Sequence, residues 1–125
     1  MGRTTRKSLE SASIDTDWEA TDAGVSTVLT DLAEEDYQEY YGGFANRVLW
    51  PILHYRIDLA EFTRRDLTGY LRVNQHFADE LAKVILPSDL VWVHDYHFIP
   101  LGDELRKRGH TNRIGFFLHL SLIHI

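Results

Sequence analysis

In "LVWVHDYH", residues 90 to 97, four residues suited to a buried strand run directly into two histidines, an aspartate and a tyrosine. His94 and His97, three apart with Asp95 between them, are of the type that binds zinc or another divalent ion. Asp95 could instead orient or deprotonate a substrate hydroxyl, a task suited to a partly desolvated carboxylate. A third use is purely structural: Asp95 caps the turn that follows while the histidines satisfy local hydrogen bonds. Four residues alone do not choose among these.

A second group lies in "EYYGGFANRVLW", residues 39 to 50. Tyr41 and Trp50 are large flat side chains of the kind that stack on sugar rings and close an amphipathic pocket. The competing use is core packing, the ordinary fate of aromatic residues on an apolar helix. Asn46, Arg47, His54 and Arg56 read as helix-surface or hydrogen-bonding groups, and "LRKR", 105 to 108, reads as the basic end of a helix.

The elements that must position these residues follow from pattern. "VSTVL", 25 to 29, is a short β-branched strand, whereas residues 1 to 24 are polar and show no sustained period. Asp31 with Glu34 resembles a helix-opening box and predicts a helix from about Leu32, weakened at Gly42-Gly43 and ended by Pro51. From Tyr70, the positions Val73, Phe77, Leu81 and Ile85 predict a helix with one buried face, closed by the turn residues "PSD", 87 to 89. "LVWV" lacks polar alternation, as a strand covered on both faces would. Residues 100 to 108 carry acids early and bases late with Gly109 just beyond, which is helix chemistry, and "RIGFFLHL" is the next strand. Strand, helix, strand implies a parallel crossover and an α/β class. In such sheets ligands lie beyond the carboxyl ends of the strands. His94 to His97 and His119 stand at two such ends, so both groups could face one cleft.

The bulk composition narrows the function. A chain of 125 residues, 44% hydrophobic and 12% aromatic, can bury one core. Its net charge of −6, with scattered bases, argues against nucleic acid or an anionic membrane surface as the main partner. Without cysteine there is neither disulfide nor thiolate metal site. The early bases Arg3, Arg6 and Lys7 precede no signal-peptide core, and the run Ile114 to Ile125 is too short and too polar to span a membrane, so a cytoplasmic location is expected.

Taken together, "EYYGGFANRVLWPILHYR", "GYLRVNQHFADEL", "VWVHDYHFIPLGDELRKRG" and "RIGFFLHL" resemble the N-terminal domain of the trehalose-6-phosphate synthase family, over about residues 25 to 120 and in one order. The resemblance implies an incomplete Rossmann-like parallel sheet with flanking helices, part of the N-terminal domain of a two-domain GT-B glycosyltransferase. It divides the chain into a divergent segment 1–24, the acceptor-side domain 25–120 and a divergent tail 121–125. It implies retaining transfer of glucose from UDP-glucose to glucose 6-phosphate, without metal or other cofactor, and it leaves oligomeric state open. Tyr41, Trp50 and Asp95 resemble the family's acceptor-site residues, His119 the histidine beside the donor glucose, and Leu120 the apolar position that shapes the pocket. His94 and His97 then become local supports. The family's opening strand, with its phosphate-binding arginine and glycine-rich loop, has no evident counterpart in residues 1 to 24. "SLIHI" departs from the family's proline-rich turn, and the second domain that holds UDP is absent. Because half a cleft cannot desolvate both substrates, the chain alone is expected to be inactive. Acceptor choice within such scaffolds varies, glucosylglycerol-phosphate synthases being similar, and a non-catalytic synthase-like module is the further alternative.

Overall fold

The computed structural model describes residues 17–22 and 25–120, with side chains described from residue 27 onward. The chain divides into two compact units, Met1–Ala33 and Glu34–Ile125.

In the first unit, β1 (Asp17–Asp22) pairs antiparallel with β2 (Val25–Leu29), with an irregularity between Glu19 and Thr21. β2 occupies the residues that the β-branched run predicts. β1 corrects the reading of 1–24 as irregular. Its few strand formers show no period, and a partner strand, not its own pattern, satisfies its backbone groups. This hairpin forms a sheet separate from the parallel one, so the break between units follows Ala33 and not residue 24.

The second unit opens on three consecutive helical pieces, α1 (Glu34–Tyr37), a π-helical stretch Gln38–Leu49 and α2 (Trp50–Leu53). The Trp50 amide donates to the Ala45 carbonyl, five residues back, which is the wide π turn. Helical structure therefore continues through Gly42-Gly43, and it also passes through Pro51, where the helix was expected to end. Pro51 is accommodated because it falls in the first turn of α2, where a missing amide donor matters least.

The glycines are kept for packing. A Cβ on Gly43 would meet the Asp66 carboxyl group, and one on Gly69 would collide with Glu39. The π-helical stretch and α3 (Arg64–Ala82) thus approach closely, burying Tyr40, Phe44 and Val48 as well as Tyr70 and Val73. Phe44 packs on Tyr70 with ring centroids 4.7 Å apart. Buried Glu39 bonds Arg65 at 2.9 Å and Arg72 at 2.8 Å, and those guanidinium groups hold its carboxyl below the usual carboxylate range.

α3 starts six residues before Tyr70. Thr63 caps it, its hydroxyl accepting from the Asp66 amide at 3.1 Å. The helix also stops at Ala82, short of Ile85. Asp89 closes the turn that follows, its carboxylate accepting from the Leu86 amide at 2.8 Å.

β3 (Val91–His94) pairs in parallel with β4 (Ile114–Phe117), Val91 opposite Ile114 and His94 opposite Phe117. Between them lie a 3-10 turn, Tyr96–Phe98, and α4 (Leu101–Lys107). Gly109, at φ 85°, ends α4 in the left-handed conformation that glycine adopts without strain. The core here joins Ala78 of α3, Val91 and Val93 of β3, and Leu101 and Leu105 of α4, with Phe77, Leu81 and Ile85 packed against it. That is the buried face predicted from their spacing.

Two glycine substitutions should separate packing from propensity. Alanine is favoured over glycine in a helix by about 1 kcal/mol. At Gly102 the nearest atom to an added Cβ is Ile114 Cγ2 at 3.8 Å, an ordinary contact, so Gly102→Ala is expected to be neutral or stabilising. At Gly69 the same change forces Glu39 aside and should cost about 1–3 kcal/mol. Urea unfolding of the two variants checks the opposite signs.

Candidate functional site

The carboxyl ends of β3 and β4 are joined by a hydrogen bond from the Asp95 amide to the Phe117 carbonyl, 2.8 Å. Asp95 has φ 79° and ψ 166°, a region that only glycine enters readily. Its surroundings hold it there. Its carbonyl accepts from the Phe98 amide at 3.2 Å, and its carboxylate from the Tyr96 amide at 2.9 Å. From α3, the Tyr70 hydroxyl donates to the Tyr96 carbonyl at 2.6 Å and Asn74 Nδ2 to the His97 carbonyl at 3.1 Å. The capping role considered for Asp95 is therefore real, yet a cap does not require a strained backbone.

Tyr41, on the π-helical stretch, belongs to a column of rings. It stacks on Tyr37 at 5.3 Å and on His97 at 5.2 Å, and His97 stacks in turn on Tyr96 at 4.3 Å. The column brings Tyr41 to the loop that carries Asp95. Both residues act on the Tyr96 hydroxyl, whose pKa is raised first by burial and then by Asp95 and Tyr41. Tyr40, beneath them, is pushed up still further, by burial and then by Tyr70 and Asp95. Tyr96 and Tyr40 thus stay neutral and can donate a hydrogen bond.

His94 and His119 meet at the strand ends, Nδ1 to Nε2 at 2.9 Å with their rings stacked at 5.1 Å. Leu120 follows His119 and is half-buried. Trp50 is 40% exposed at the start of α2 and stacks on His54, 4.2 Å between centroids. Among the described residues no ring contact or hydrogen bond links Trp50 to Tyr41, Asp95 or His119. Asp95, Tyr41 and the His94–His119 pair share the sheet end, and Trp50 stands accessible on the helical layer that carries Tyr41.

The bare motif's other use fares differently. His94 pairs with His119 and His97 faces tyrosines, and among the described residues no three His, Cys, Asp or Glu side chains gather as a metal-binding group. Nor is any described helix long and apolar enough to cross a membrane. A cavity of about 540 Å³ runs beside β3 among Leu81, Ile85, Leu90, Trp92 and His94; it is mainly apolar and borders the site at His94 and Phe98. Tyr70 and Asn74 are supports that sequence reasoning missed. Two hydrogen-bonding residues four apart on the buried face of the helix were the available signal.

Burial lowers the pKa of His97, only partly opposed by Asp95, and its Nε2 is buried without a hydrogen-bond partner among the described residues. The folded state therefore favours the neutral ring. Its contribution to stability is fully present above the unfolded histidine value, about pH 6.5, and is lost as pH falls from there through the lowered folded value. His97→Phe keeps a stacking ring without a proton to bind. Thermal midpoints followed from pH 7 to 5 should fall less steeply in that variant than in the unaltered chain.

A parallel strand, helix, strand unit with its polar side chains gathered at the strand ends is a partial Rossmann-like layer. The sequence pattern of glycosyltransferase family 20 matches residues 2–123, taking in most of the 1–24 segment and part of the 121–125 tail set apart above. The trehalose-6-phosphate synthase of Sinorhizobium fredii is 59% identical over 96 residues, which is 77% of this chain and 21% of that protein. A solved Escherichia coli structure bound with UDP-2-fluoro glucose superposes with a TM-score of 0.81 at 46% identity, covering 86% of this chain and 24% of that one. A UDP-forming α,α-trehalose-phosphate synthase of Burkholderia xenovorans, in complex with glucose-6-phosphate, gives 0.80 at 42% identity with the same coverage. The chain belongs to glycosyltransferase family 20. It spans about one-fifth of the length of the relatives it matches.

Proposed function

We propose that this chain forms the acceptor side of the cleft of a retaining glucosyltransferase, which moves glucose from UDP-glucose to glucose 6-phosphate and yields trehalose 6-phosphate. In that reaction the bond from the donor's anomeric carbon to the diphosphate oxygen breaks, and the acceptor's anomeric oxygen bonds to that carbon. The acceptor proton passes to the leaving diphosphate, so no protein base is required of this segment.

Tyr41 and Trp50 present faces that suit the C–H faces of a pyranose. Asp95 accepts hydrogen bonds from acceptor hydroxyls and so fixes which oxygen approaches the donor. His119 stands beside the transferred glucose, and Leu120 contributes the apolar wall next to it. A second domain supplies the cationic groups for both phosphates; it completes the cleft, and the whole acts in the cytoplasm.

The observation that carries this reading is Asp95. A non-glycine residue held in a glycine-only conformation at the carboxyl end of a parallel strand is the kind of strain that persists for function. The relatives support the substrates, one bound to a UDP-glucose analogue and another to glucose-6-phosphate.

Calorimetric titration of the chain with glucose 6-phosphate and with glycerol 3-phosphate tests the acceptor. Weak binding of the hexose phosphate, in the millimolar range, and none of glycerol 3-phosphate is expected. Preference for glycerol 3-phosphate would overturn the assignment. With both substrates supplied, the 125-residue chain alone should release no measurable UDP. Robust release would contradict the requirement for a second domain.

A further inference from the structure

His94, the last residue of β3, and His119, in the segment after β4, make a contact that the proposed chemistry does not use. His94 Nδ1 and His119 Nε2 are 2.9 Å apart, their planes 16° from parallel. Trp92 stacks on His94 at 5.3 Å, while Phe117 lies against His119 at 4.6 Å and His94 at 6.5 Å. The bond from the Asp95 amide to the Phe117 carbonyl ties these strand ends together.

A nitrogen-to-nitrogen contact of this length needs a hydrogen on one ring and a bare nitrogen on the other. The two neutral tautomers are therefore coupled. If His119 Nε2 donates, His94 Nδ1 is bare and His94 carries its hydrogen on Nε2. If His94 Nδ1 donates, both rings carry their hydrogens on Nδ1. The first arrangement puts both histidines in the tautomer that neutral histidine prefers in water, so it is the lower in energy.

We infer that His94 is a positioning residue: its bond holds His119 in the Nε2–H form and leaves His119 Nδ1 as a bare acceptor for a sugar hydroxyl. The tautomer of a functional histidine is set by the bond its other nitrogen makes, and here that bond comes from a neighbouring strand. An acceptor of this kind admits an O–H donor and rejects carbonyl or phosphate oxygens. The hydroxyl assignment rests on the reading of His119 as the residue beside the transferred glucose; the tautomer does not.

The test uses the chain with 15N-labelled histidine at about pH 8, above the ordinary histidine range. His119 should show a protonated Nε2 and a bare Nδ1 without averaging. His94→Ala should return it to the solvent-averaged mixture. His94→Asn, whose side-chain oxygen can stand where Nδ1 stood, should keep the fixed form. Since His94 is exposed, neither change opens the core, and the amide spectrum verifies this. An averaged His119 in the unaltered chain, or one indifferent to His94→Ala, overturns the inference.

Titration with glucose at high concentration, a ligand that needs no diphosphate-binding domain, supplies the second arm. The His119 Nδ1 signal should move, several-fold less in His94→Ala, with recovery in His94→Asn. A silent Nδ1 while Tyr41 and Asp95 still respond to glucose 6-phosphate overturns the hydroxyl assignment and leaves the proposed function standing. Silence toward both sugars overturns the proposed function itself.

Discussion

Asp95→Gly should leave the fold about as stable as it is now while weakening glucose 6-phosphate binding tenfold or more. The backbone at position 95, φ 79° and ψ 166°, costs a non-glycine residue about 1–3 kcal/mol. Glycine removes that strain but also removes the 2.9 Å cap on the Tyr96 amide, worth about 1 kcal/mol, and adds unfolded-state entropy of about 0.5–1 kcal/mol. These terms nearly cancel. Asp95→Ala keeps the strain and loses the cap, so it should be the less stable of the two variants. Both lose a charged acceptor, whose hydrogen bonds contribute about 1.5–3 kcal/mol, or at least a tenfold change in affinity. Denaturant unfolding and calorimetric titration, run on the same two variants, read these effects separately. A stable glycine variant that binds as before would remove Asp95 from the site.

The largest stability effect is expected at Leu105. It is fully buried on α4 and packs in the cluster formed with Ala78, Val91, Val93 and Leu101. Leu105→Ala removes buried methyl groups and leaves a cavity, a combination that costs about 2–5 kcal/mol. For a domain of about 100 residues that lowers the thermal midpoint by roughly 10 °C or more. Leu86→Ala is the matched control. Leu86 is 62% exposed, and the same chemical change there should stay within about 0.5 kcal/mol. Equal effects at the two positions would mean that α4 is not seated on β3 as described. Because this core supports the loop from Asp95 to Phe98, Leu105→Ala should also reduce sugar binding, though only as the folded fraction falls.

What the sequence shows and what it hides differ by the range of the forces involved. β3, α4 and β4 were legible because their signals are local: an uninterrupted apolar run, acids before bases, and a glycine at φ 85° after the last turn. The buried face of α3 was legible from its period, but its start was placed late. Thr63 with Asp66 three residues on was the missed capping signal. A helix across Gln38–Leu49 was legible, but its π turn was not. Gly43 read locally as a weak point in the helix, and only the approach of Asp66 and Glu39 from the facing helices gives Gly43 and Gly69 a purpose. β1 was hidden for a similar reason, its conformation being fixed by β2.

The site divides in the same way. Asp95, Tyr41, Trp50, His119 and Leu120 were named from motif position. The strain at Asp95, the column running from Tyr37 through Tyr41 and His97 to Tyr96, and the pairing of His94 with His119 arise from contacts between segments distant in sequence.

The central claim is that Tyr41, Trp50 and Asp95 act on one hexose. Resonance mapping of the 15N-labelled chain during titration with glucose 6-phosphate tests it most directly. The Tyr41 and Asp95 amides and the Trp50 indole N–H should shift together and saturate at one concentration. Shifts confined to the apolar cavity beside β3, or movement at Asp95 while the Trp50 indole stays unchanged at saturation, would contradict it.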